Sequence, residues 1–521
     1  MTGTSNSPIT VASAPGKVLI VGGYLVLDRN YSGLVVGTDA CLYAAVQTQA
    51  VDVANGPYTP GDQKIPISVL SPQFQSAWWK YSFDSKDNSL SQYASADNGE
   101  NPFVQVVIRV VMGLVNQLAP GKLQELLSAA HPALPSSSSS SPLSSKRVGL
   151  NIVLSADNDF YSQRETLEKM GLSLGAESLK KLPRMCETGT TLRGVHKTGL
   201  GSSAAMVTSL VAAILVHFGI IEQADLQPGQ AASGKRGRSQ QLIHNVAQYT
   251  HCLAQGKVGS GFDVSAAVYG SHVYRRFSSD VLDSAMGENI SIHEIEQAIS
   301  PENPGWNSDV TPVSIPPRFI LRLADVDAGS NTPSMVRKVL QYQKSSPREA
   351  TALWSALDAA NTNIRTLWDH LTAAAHTDSA DYNLAVDWCA THKSSEWKNA
   401  PKFAESPSHQ LLVELVEGIL RVRALQRQLG DNAQVPIEPL EQTKLLDACM
   451  EVPGVCMAAV PGAGGYDAIF CITLGEAASS AVAELWLSWT EMSVGPLLAN
   501  QASSGVRTLD PELYPEIISQ L

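Results

Sequence analysis

The chain has 521 residues, of which 44% are hydrophobic and 17% charged, and its formal net charge at pH 7 is −12. A chain of this length exceeds the size at which one hydrophobic core keeps growing, so we expect two or more domains. The acidic balance argues against a protein dedicated to nucleic acids or to anionic membranes, although a local positive pocket can still bind an anionic metabolite.

Cysteine usage and targeting signals bear on the compartment. The seven cysteines are an odd number with no CxxC spacing, which predicts reduced thiols rather than disulfides or a zinc site. No basic stretch followed by an apolar one opens the chain, so no secretory signal is predicted, and the apolar segment 204–218 is too short to span a membrane. The final SQL resembles a peroxisomal address only loosely, since a basic middle residue is missing. We therefore predict a cytoplasmic protein.

Strands and helices alternate along the chain without the regular βαβ repeat that is typical of a parallel sheet, and this favours an α+β fold in two lobes. Strand-like stretches occur at 9–21, 34–53, 78–84, 146–155, 455–460 and 468–474. A turn is predicted within the first of them, at Pro15-Gly16. Apolar residues at helical spacing predict helices over 103–118 and 411–429, with Gly430 as the residue that ends the second helix.

Three polar stretches are predicted to lie outside the cores of the domains. The serine run within 135–145 cannot contribute to a core and predicts a disordered surface insertion. The basic stretch 228–238 is predicted to be a solvated loop. The stretch 301–317, rich in Pro and Asn, is the predicted boundary between an N-terminal lobe, 1–310, and a C-terminal lobe, 311–521.

The sharpest local signal is KTGLGSSAA, residues 197–205. Gly199 and Gly201 free the backbone, Ser202 and Ser203 suit a helix N-cap or a cation contact, and an apolar helix follows. Such a helix start concentrates N–H groups and a positive dipole end on one place, which suits a phosphate. On this stretch alone, a simple glycine turn with a capping serine is an equally good interpretation. It is neither a Walker A loop nor a dinucleotide fingerprint.

Three further stretches are ambiguous in isolation. SAPGKVLIVGGYLVLD (13–28) restricts Lys17 beside an apolar strand, which suits stabilisation of a transferring phosphoryl group, or the lysine is simply solvated. In GKVGSGFDVSAAVYGS (256–271), Asp263 is either an N-cap or a catalytic carboxylate. PGAGGYD (461–467) is most simply interpreted as a turn between two strands.

Taken in order along the chain, PGK, GLGSSAA, GSGFD and PGAGGYD resemble the motifs of the GHMP kinases. The match covers almost the whole chain. It is closest to the fungal branch that phosphorylates 5-phosphomevalonate. The stretches that carry this narrower resemblance are SAPGKVLIVGGYLVLD (13–28), LSADNDFYSQ (154–163), HKTGLGSSA (196–204), the run 244–271 and YRRF (274–277). The resemblance implies an α+β, two-lobed fold with an N-terminal mixed α/β lobe, a C-terminal ferredoxin-like lobe and the active site between them. It also implies ATP and 5-phosphomevalonate as substrates, Mg²⁺ as cofactor and a role in isoprenoid and sterol synthesis.

The resemblance assigns roles residue by residue. The predicted phosphate cradle for ATP comprises Gly199, Leu200, Gly201, Ser202, Ser203 and Ala204. Ser203 would also contact magnesium, and Lys17 would bridge the γ-phosphate and the acceptor. Asp263 would orient the acceptor. Lys197 is predicted to bind phosphate, that of the acceptor above all.

Further acceptor contacts are implied at Ser260, Ser330, Thr332, Ala463 and Gly464. Asp467 is expected to fix its turn. Arg275 and Arg276 are tempting phosphate clamps. Neighbouring residues on a strand point to opposite faces, so at most one can reach the site, and neither is included.

Physical chemistry modifies the family picture at one point. A phosphate monoester is largely deprotonated at neutral pH, since its second pKa is about 6, so the acceptor needs its repulsion from ATP reduced more than it needs a base. Cations, Lys17, Lys197 and Mg²⁺, are therefore predicted to carry the chemistry, with Asp263 mainly positioning.

Two departures from the family pattern concern acidic residues. Many members carry a glutamate where this chain has Gly23, and related mevalonate kinases supply a magnesium-binding glutamate from the helix before GSGFD. The corresponding stretch 239–256 contains no Asp or Glu. Magnesium would then be held by Ser203, phosphate oxygens and waters, with Gln248 as a weaker candidate.

Other functions remain open from the sequence. The alternatives are another GHMP kinase, acting on mevalonate, homoserine or a sugar, and a diphosphomevalonate decarboxylase on the same fold. A catalytically inactive family member acting as a regulator is the alternative from another class. The regulator is disfavoured because both Lys17 and Asp263 are present.

Overall fold

The computed structural model of the protein describes residues 8–59, 61–96, 99–130, 146–227, 234–287, 290–326 and 332–521. The predicted serine-rich insertion and the first part of the predicted basic loop, 228–233, lie outside the described residues.

Two β-sheets organise the chain. Their strands are β1 (Thr10–Val21), β2 (Ser32–Asp52), β3 (Lys64–Leu70), β4 (Trp78–Asp84), β5 (Ser89–Ser95), β6 (Lys146–Ala156), β7 (His272–Arg275), β8 (Asp309–Pro312), β9 (Phe319–Val326), β10 (Val455–Ala459), β11 (Ala468–Leu474), β12 (Val494–Pro496), β13 (Gln501–Ala502) and β14 (Arg507–Leu509). The larger sheet has the order β14-β1-β2-β6-β3-β4-β5, with β7 and β13 also paired to β2 and β8 paired to β7. The smaller sheet has the order β10-β11-β9-β12.

Helices cover both sheets. They are α1 (Pro102–Leu118), α2 (Pro120–Ala130), α3 (Arg164–Lys169), α4 (Ala176–Leu179), α5 (Ser202–His217), α6 (Gly234–Gln255), α7 (Phe262–Tyr269), α8 (Ile292–Ile299), α9 (Thr332–Ser345), α10 (Pro347–Thr377), α11 (Ser379–Cys389), α12 (Ser394–Trp397), α13 (Pro407–Ala433), α14 (Leu440–Met450), α15 (Glu476–Ser488) and α16 (Pro515–Ile518). Within the described residues no single helix is long and apolar enough to cross a membrane, and only the pair α1–α2, bent by 107°, meets those criteria by length and composition.

Helix α5 is the centre of the first lobe. It packs on β1 and β2 and against α1, α6 and α7. From Ala204 to Val216 it consists almost entirely of small and branched apolar residues, and nearly all of them are buried. A helix that is apolar on every side is stable only inside a core, and the segment that leads into α5 is bonded to the middle of β1, where the Lys17 N–H donates to the Leu200 carbonyl oxygen.

The second lobe has a ferredoxin-like sheet. Its strands β9, β10, β11 and β12 are antiparallel, with the α9–α14 region between the first two and α15 between the last two. This βαββαβ order is that of the ferredoxin-like fold, so the two-lobed α+β prediction is confirmed. The chain passes from the larger to the smaller sheet between β8 and β9, and β13 and β14 return to the larger sheet. The exact domain boundary at 310/311 stays a prediction.

Three local predictions were wrong. The chain makes no turn at Pro15-Gly16, because β1 continues through a bulge there and stays paired with β2 on both sides. Helix α13 does not end at Gly430, since it continues to Ala433, and the glycine is needed inside it because a Cβ would lie 2.6 Å from the Val435 carbonyl oxygen. Residues 234–238 of the predicted basic loop belong to α6.

Candidate active site

A cleft of about 400 Å³ lies where the glycine-rich stretches of both lobes meet. Its lining includes these predicted site residues: Lys17, Lys197, Gly199, Leu200, Gly201, Ser202, Ser203, Ser260, Asp263, Ala463 and Gly464. Ala204 is buried in α5 just behind this lining. Ser330 and the side chain of Thr332 lie outside the described residues. A second cavity of about 490 Å³, lined by Asp157 and Arg164 among others, contains none of the predicted site residues that the structure describes.

Two groups of residues form the walls. We call residues 199–203, at the start of α5, the glycine-loop wall. We call the segments 23–27, 257–263 and 461–467 the composite wall, because they come from three distant parts of the chain. Only the first wall is continuous in sequence.

The two glycines of the glycine-loop wall have the unusual backbone that the sequence predicts, whereas the predicted N-cap by Ser202 or Ser203 was wrong. Gly199 and Gly201 have φ angles of +80° and +83°, and Gly201 is the N-cap of α5. A glycine has no side chain to cap the helix, so the first amide groups of α5 lack a capping side chain and the positive end of the helix dipole faces the cleft. This arrangement suits an anion such as a phosphate.

Lys17 is held between the two walls. Its Nζ donates a hydrogen bond to the Gly199 carbonyl oxygen at 2.7 Å, its backbone N–H donates to the Leu200 carbonyl oxygen at 3.0 Å, and its ammonium lies 5.5 Å from the centre of the Phe262 ring. Burial lowers the pKa of Lys17, and the charge of Asp263 partly offsets that shift. The bulge in β1 places this ammonium at the glycine loop.

Asp263 lies in the first turn of α7, after the N-cap Gly261, whose φ angle is +81°. Its Oδ1 accepts a hydrogen bond from the Val264 N–H at 3.0 Å. Its Oδ2 lies 4.0 Å from Nε2 of His251. Asp263 is thus a carboxylate of the cleft, and the N-cap interpretation was wrong because Gly261 is the N-cap and no side chain caps the helix.

His251 is a cleft residue that the sequence interpretation missed. Its Nε2 lies 3.1 Å from the Ser203 hydroxyl oxygen and 3.2 Å from Nε2 of Gln255. Burial lowers the pKa of His251, and Asp263 acts in the opposite direction. The sequence did hold a signal, because His251 lies in the stretch 239–256 before GSGFD, for which the family resemblance implies a magnesium ligand. Gln248 also lines the cleft.

The cleft contains two further lysines. Lys197 forms an isolated β-bridge with Tyr161, and burial lowers the pKa of its ammonium. Lys257, which follows α6, also lines the cleft and was not predicted. No carboxylate within the described ranges forms an ion pair with either side chain, whereas Lys180, at the surface, pairs with Glu177 at 2.7 Å. The excess positive charge in the cleft contrasts with the acidic chain as a whole.

The turn of the second lobe completes the composite wall. The Tyr24 hydroxyl donates a hydrogen bond to the Ala463 carbonyl oxygen at 2.8 Å. Gly464 has a φ angle of +71°, and a Cβ there would lie 2.1 Å from the Ile437 carbonyl oxygen, so only glycine fits. Gly23, which stands where many GHMP kinases carry a glutamate, lines the cleft as well, and so does Asp467.

Arg275 and Arg276, which were expected to point in opposite directions, do have different hydrogen-bond and ion-pair partners. Arg275 pairs with Asp309 on the neighbouring strand β8. Arg276 donates hydrogen bonds to the carbonyl oxygens of Leu27 and Gly259, both at 2.6 Å. Neither side chain is part of the cleft lining that the structure describes.

Comparison with known proteins places this architecture in a family. Residues 412–488 match the model of the GHMP kinase C-terminal domain. The chain is 38% identical over 512 residues to the peroxisomal phosphomevalonate kinase of Arabidopsis thaliana, covering 95% of each chain. It is 33% identical over 544 residues to the phosphomevalonate kinase of Aspergillus fumigatus, covering 98% of each.

A solved structure agrees with the fold. The phosphomevalonate kinase of Streptococcus pneumoniae, in complex with phosphomevalonate and AMPPNP, superposes with a TM-score of 0.52 at 13% identity, covering 94% of this chain and 99% of that one. At that identity the likeness concerns the fold alone, whereas the similarity in sequence to the plant and fungal enzymes extends over nearly the whole length. The chain belongs to the phosphomevalonate kinases of the GHMP family.

Proposed function

We propose that this chain transfers the γ-phosphoryl group of ATP to the phosphate of 5-phosphomevalonate, giving 5-diphosphomevalonate and ADP in the mevalonate pathway. Full-length similarity to plant and fungal enzymes of that name supports the reaction class. The glycine-loop wall, with φ angles of +80° and +83° at its two glycines, supports the nucleotide phosphates as ligands of that wall.

The observation that carries the choice of acceptor is the positive charge of the cleft. Burial lowers the pKa of both Lys17 and Lys197, so each ammonium is partly desolvated. Lys197 has no ion-pair partner within the described part of the chain, and a desolvated ammonium is stabilised by an anion. An acceptor with its own phosphate supplies that anion at the reacting group, whereas the reacting group of mevalonate is a neutral hydroxyl.

We infer distinct tasks for the two walls and for the lysines beside them. The helix start binds the β- and γ-phosphates of ATP, and Lys17, bonded to Gly199 at 2.7 Å, stabilises the negative charge between donor and acceptor. Lys197 and Ser260 bind the acceptor. The acceptor oxygen is already largely deprotonated at pH 7, since its pKa is about 6, so Asp263 removes no proton; it stabilises the charged ammonium of Lys17 and through Lys17 orients the acceptor.

Magnesium fits this set of residues as a cation held mainly by the nucleotide. In the described part of the chain no three acidic, histidine or cysteine side chains converge on one point. The Ser203 hydroxyl is the oxygen ligand offered by the glycine-loop wall, and nucleotide oxygens and waters would complete the shell that Mg²⁺ prefers. When bound, the ion neutralises part of the phosphate charge. His251, 3.1 Å from the Ser203 oxygen, fixes the direction of that hydroxyl.

The deciding experiment is ADP production with Mg-ATP and, in parallel, mevalonate, 5-phosphomevalonate and 5-diphosphomevalonate, with phosphorus NMR of the products. We expect turnover of 5-phosphomevalonate alone, with a new diphosphate signal. The Lys17→Met variant serves as the control for contaminating kinases. Turnover of mevalonate instead would show that the proposed acceptor is wrong, while the assignment to the family would stand. Nucleotide binding without turnover of any of the three would favour a regulatory role.

The compartment we propose is the cytoplasm. All seven cysteines are buried and unpaired, which agrees with a reducing environment. Since the Arabidopsis thaliana relative is named peroxisomal, the test is imaging of the full chain with an N-terminal fluorescent tag beside a peroxisomal marker. Punctate overlap with the marker would overturn this assignment.

A further inference from the structure

Arg276 joins two segments of the composite wall from behind. Its Nη1 donates a hydrogen bond to the Leu27 carbonyl oxygen at 2.6 Å, and its Nη2 donates to the carbonyl oxygens of Gly259 at 2.6 Å and Val258 at 3.3 Å. A guanidinium offers several donors in one rigid plane and keeps its charge at all relevant pH values. Three carbonyl oxygens from two loops are therefore held at a defined spacing by one side chain.

A second side chain, that of Tyr274, holds the next residue of the loop. Tyr274, two positions before Arg276, donates its hydroxyl hydrogen bond to the Ser260 carbonyl oxygen at 2.7 Å. Arg276 directly follows the end of β7 at Arg275, and both side chains reach the loop that precedes Asp263. The loop itself has no regular secondary structure between α6 and α7, and these bonds to its carbonyl oxygens replace the missing backbone pairing.

Tyr24 extends the connection into the second lobe. It lies in the turn 23–27 that Arg276 holds at Leu27, and its hydroxyl bonds to the Ala463 carbonyl oxygen at 2.8 Å. Tyr24 is only 5% exposed. The three segments of the composite wall are thus joined by two side chains, Arg276 on one side and Tyr24 on the other.

We propose that Arg276 is a positioning residue for the acceptor. It sets the distance between the turn 23–27 and the loop that carries Ser260 and Asp263, without contacting the substrates itself. The kinetic part of this inference rests on the proposed function. Misplacement of reacting groups by about 1 Å can cost on the order of 100-fold in rate, so a residue outside the cleft can have a large effect on the acceptor step.

Arg275 provides a matched control. It is the neighbouring residue, carries the same charge and forms a single ion pair with Asp309, with 42% of its side chain exposed. Replacing either arginine by lysine keeps the positive charge. Lysine presents its donors at one point, so in place of Arg276 it cannot bridge Leu27 and Gly259 as a planar fork does.

The test compares Arg276→Lys and Arg275→Lys in the full chain by steady-state kinetics, Mg-ATP affinity and hydrogen exchange. We expect Arg276→Lys to lower kcat/KM for 5-phosphomevalonate by about 10- to 100-fold, to leave the Kd of Mg-ATP within about twofold, and to speed exchange in 257–263. Arg275→Lys should leave all three quantities near those of the wild type. Arg276→Ala should have a larger effect than Arg276→Lys on the same quantities.

Two results would overturn the proposal. One is an Arg276→Lys variant with wild-type kcat/KM and wild-type exchange. The other is an equal loss of acceptor turnover and Mg-ATP affinity, which would indicate general destabilisation; the melting temperature of each variant is measured alongside. Failure of the proposed function is recognised separately, since the wild type itself would not turn over 5-phosphomevalonate, while the exchange comparison would still test the bonds made by Arg276.

Discussion

The two walls of the cleft are built in opposite ways. The glycine-loop wall is five consecutive residues at the start of a buried helix, and its conformation follows from Gly199 and Gly201 with φ angles near +80°. The composite wall consists of three segments, 23–27, 257–263 and 461–467, which are far apart in the sequence. Hydrogen bonds from Tyr24 and Arg276 join them. A short motif can specify the first wall, whereas the second exists only after both lobes have folded.

This difference predicts where substitutions act. Changes in the glycine-loop wall should affect the phosphates of ATP, and changes in the composite wall should affect the acceptor. Lys17 touches both, since it bonds to Gly199 and lies 5.5 Å from the Phe262 ring centre. Its loss should therefore be the most costly.

Lys17→Met should give the largest effect, a decrease in kcat of about 10³-fold or more, because cationic groups at a transferring phosphoryl group are worth that much. The measurement is kcat at saturating ATP and acceptor. Asp263→Asn is the comparison variant, with an expected decrease of about 10-fold, since a phosphate acceptor needs no strong base. Equal losses in the two variants would contradict the positioning role of Asp263.

Gly201→Ala should come next, with a loss of about 100-fold in kcat/KM for ATP. A Cβ at this position would lie 3.1 Å from Cε of Lys17, in addition to the strain of a φ angle of +83°. A left-handed backbone costs an alanine about 1–2 kcal/mol, so strain alone accounts for only part of the effect.

Gly256→Ala is the control for that strain. Its φ angle is +66°, and within the described part of the chain no neighbouring heavy atom would lie within 4 Å of the new Cβ. It should lose stability with little change in kcat/KM for ATP. If both glycine variants impaired ATP turnover equally, contact with Lys17 would not be the cause.

Lys197→Met should raise the KM for 5-phosphomevalonate by about 10- to 100-fold, the size expected for one or two charge-assisted hydrogen bonds of about 1.5–3 kcal/mol. The KM for ATP should change much less. Lys398→Met, which removes a surface lysine paired with Glu417, is the control for a change in net charge. A larger effect on ATP than on the acceptor would move Lys197 to the nucleotide side of the cleft.

The smallest effect concerns the pH profile. Burial lowers the pKa of Lys17, and the charge of Asp263 raises it again. The active form has the charged ammonium, so activity is present below this pKa and is lost as the pH rises through it. In Asp263→Asn the raising contribution is absent, and the alkaline limb of kcat/KM should move to lower pH. Asp263→Glu keeps the charge and should leave the limb in place; a limb that does not move in Asp263→Asn would assign it to another group.

Several errors of sequence interpretation have one physical origin. Pro15-Gly16 and Gly430 have the composition of a turn and of a helix end, yet both lie inside regular elements. In each case the glycine is required because another chain segment comes close. A Cβ at Gly16 would lie 2.8 Å from Oγ1 of Thr38, and a Cβ at Gly430 would lie 2.6 Å from the Val435 carbonyl oxygen. Local propensity does not contain such contacts.

The amino-acid sequence by itself determined the elements of local origin: the apolar helix α5, the two left-handed glycines before it, and the order of motifs that identifies the family. The tertiary structure alone decided that Lys257 and Tyr24 join the cleft, that His251 is the residue of its helix beside Ser203, and that Arg276 supports the cleft from outside. Backbone conformation at a glycine depends on neighbouring residues, whereas contacts between segments such as 23–27 and 461–467 depend on how two lobes pack. That packing is a property of the whole chain.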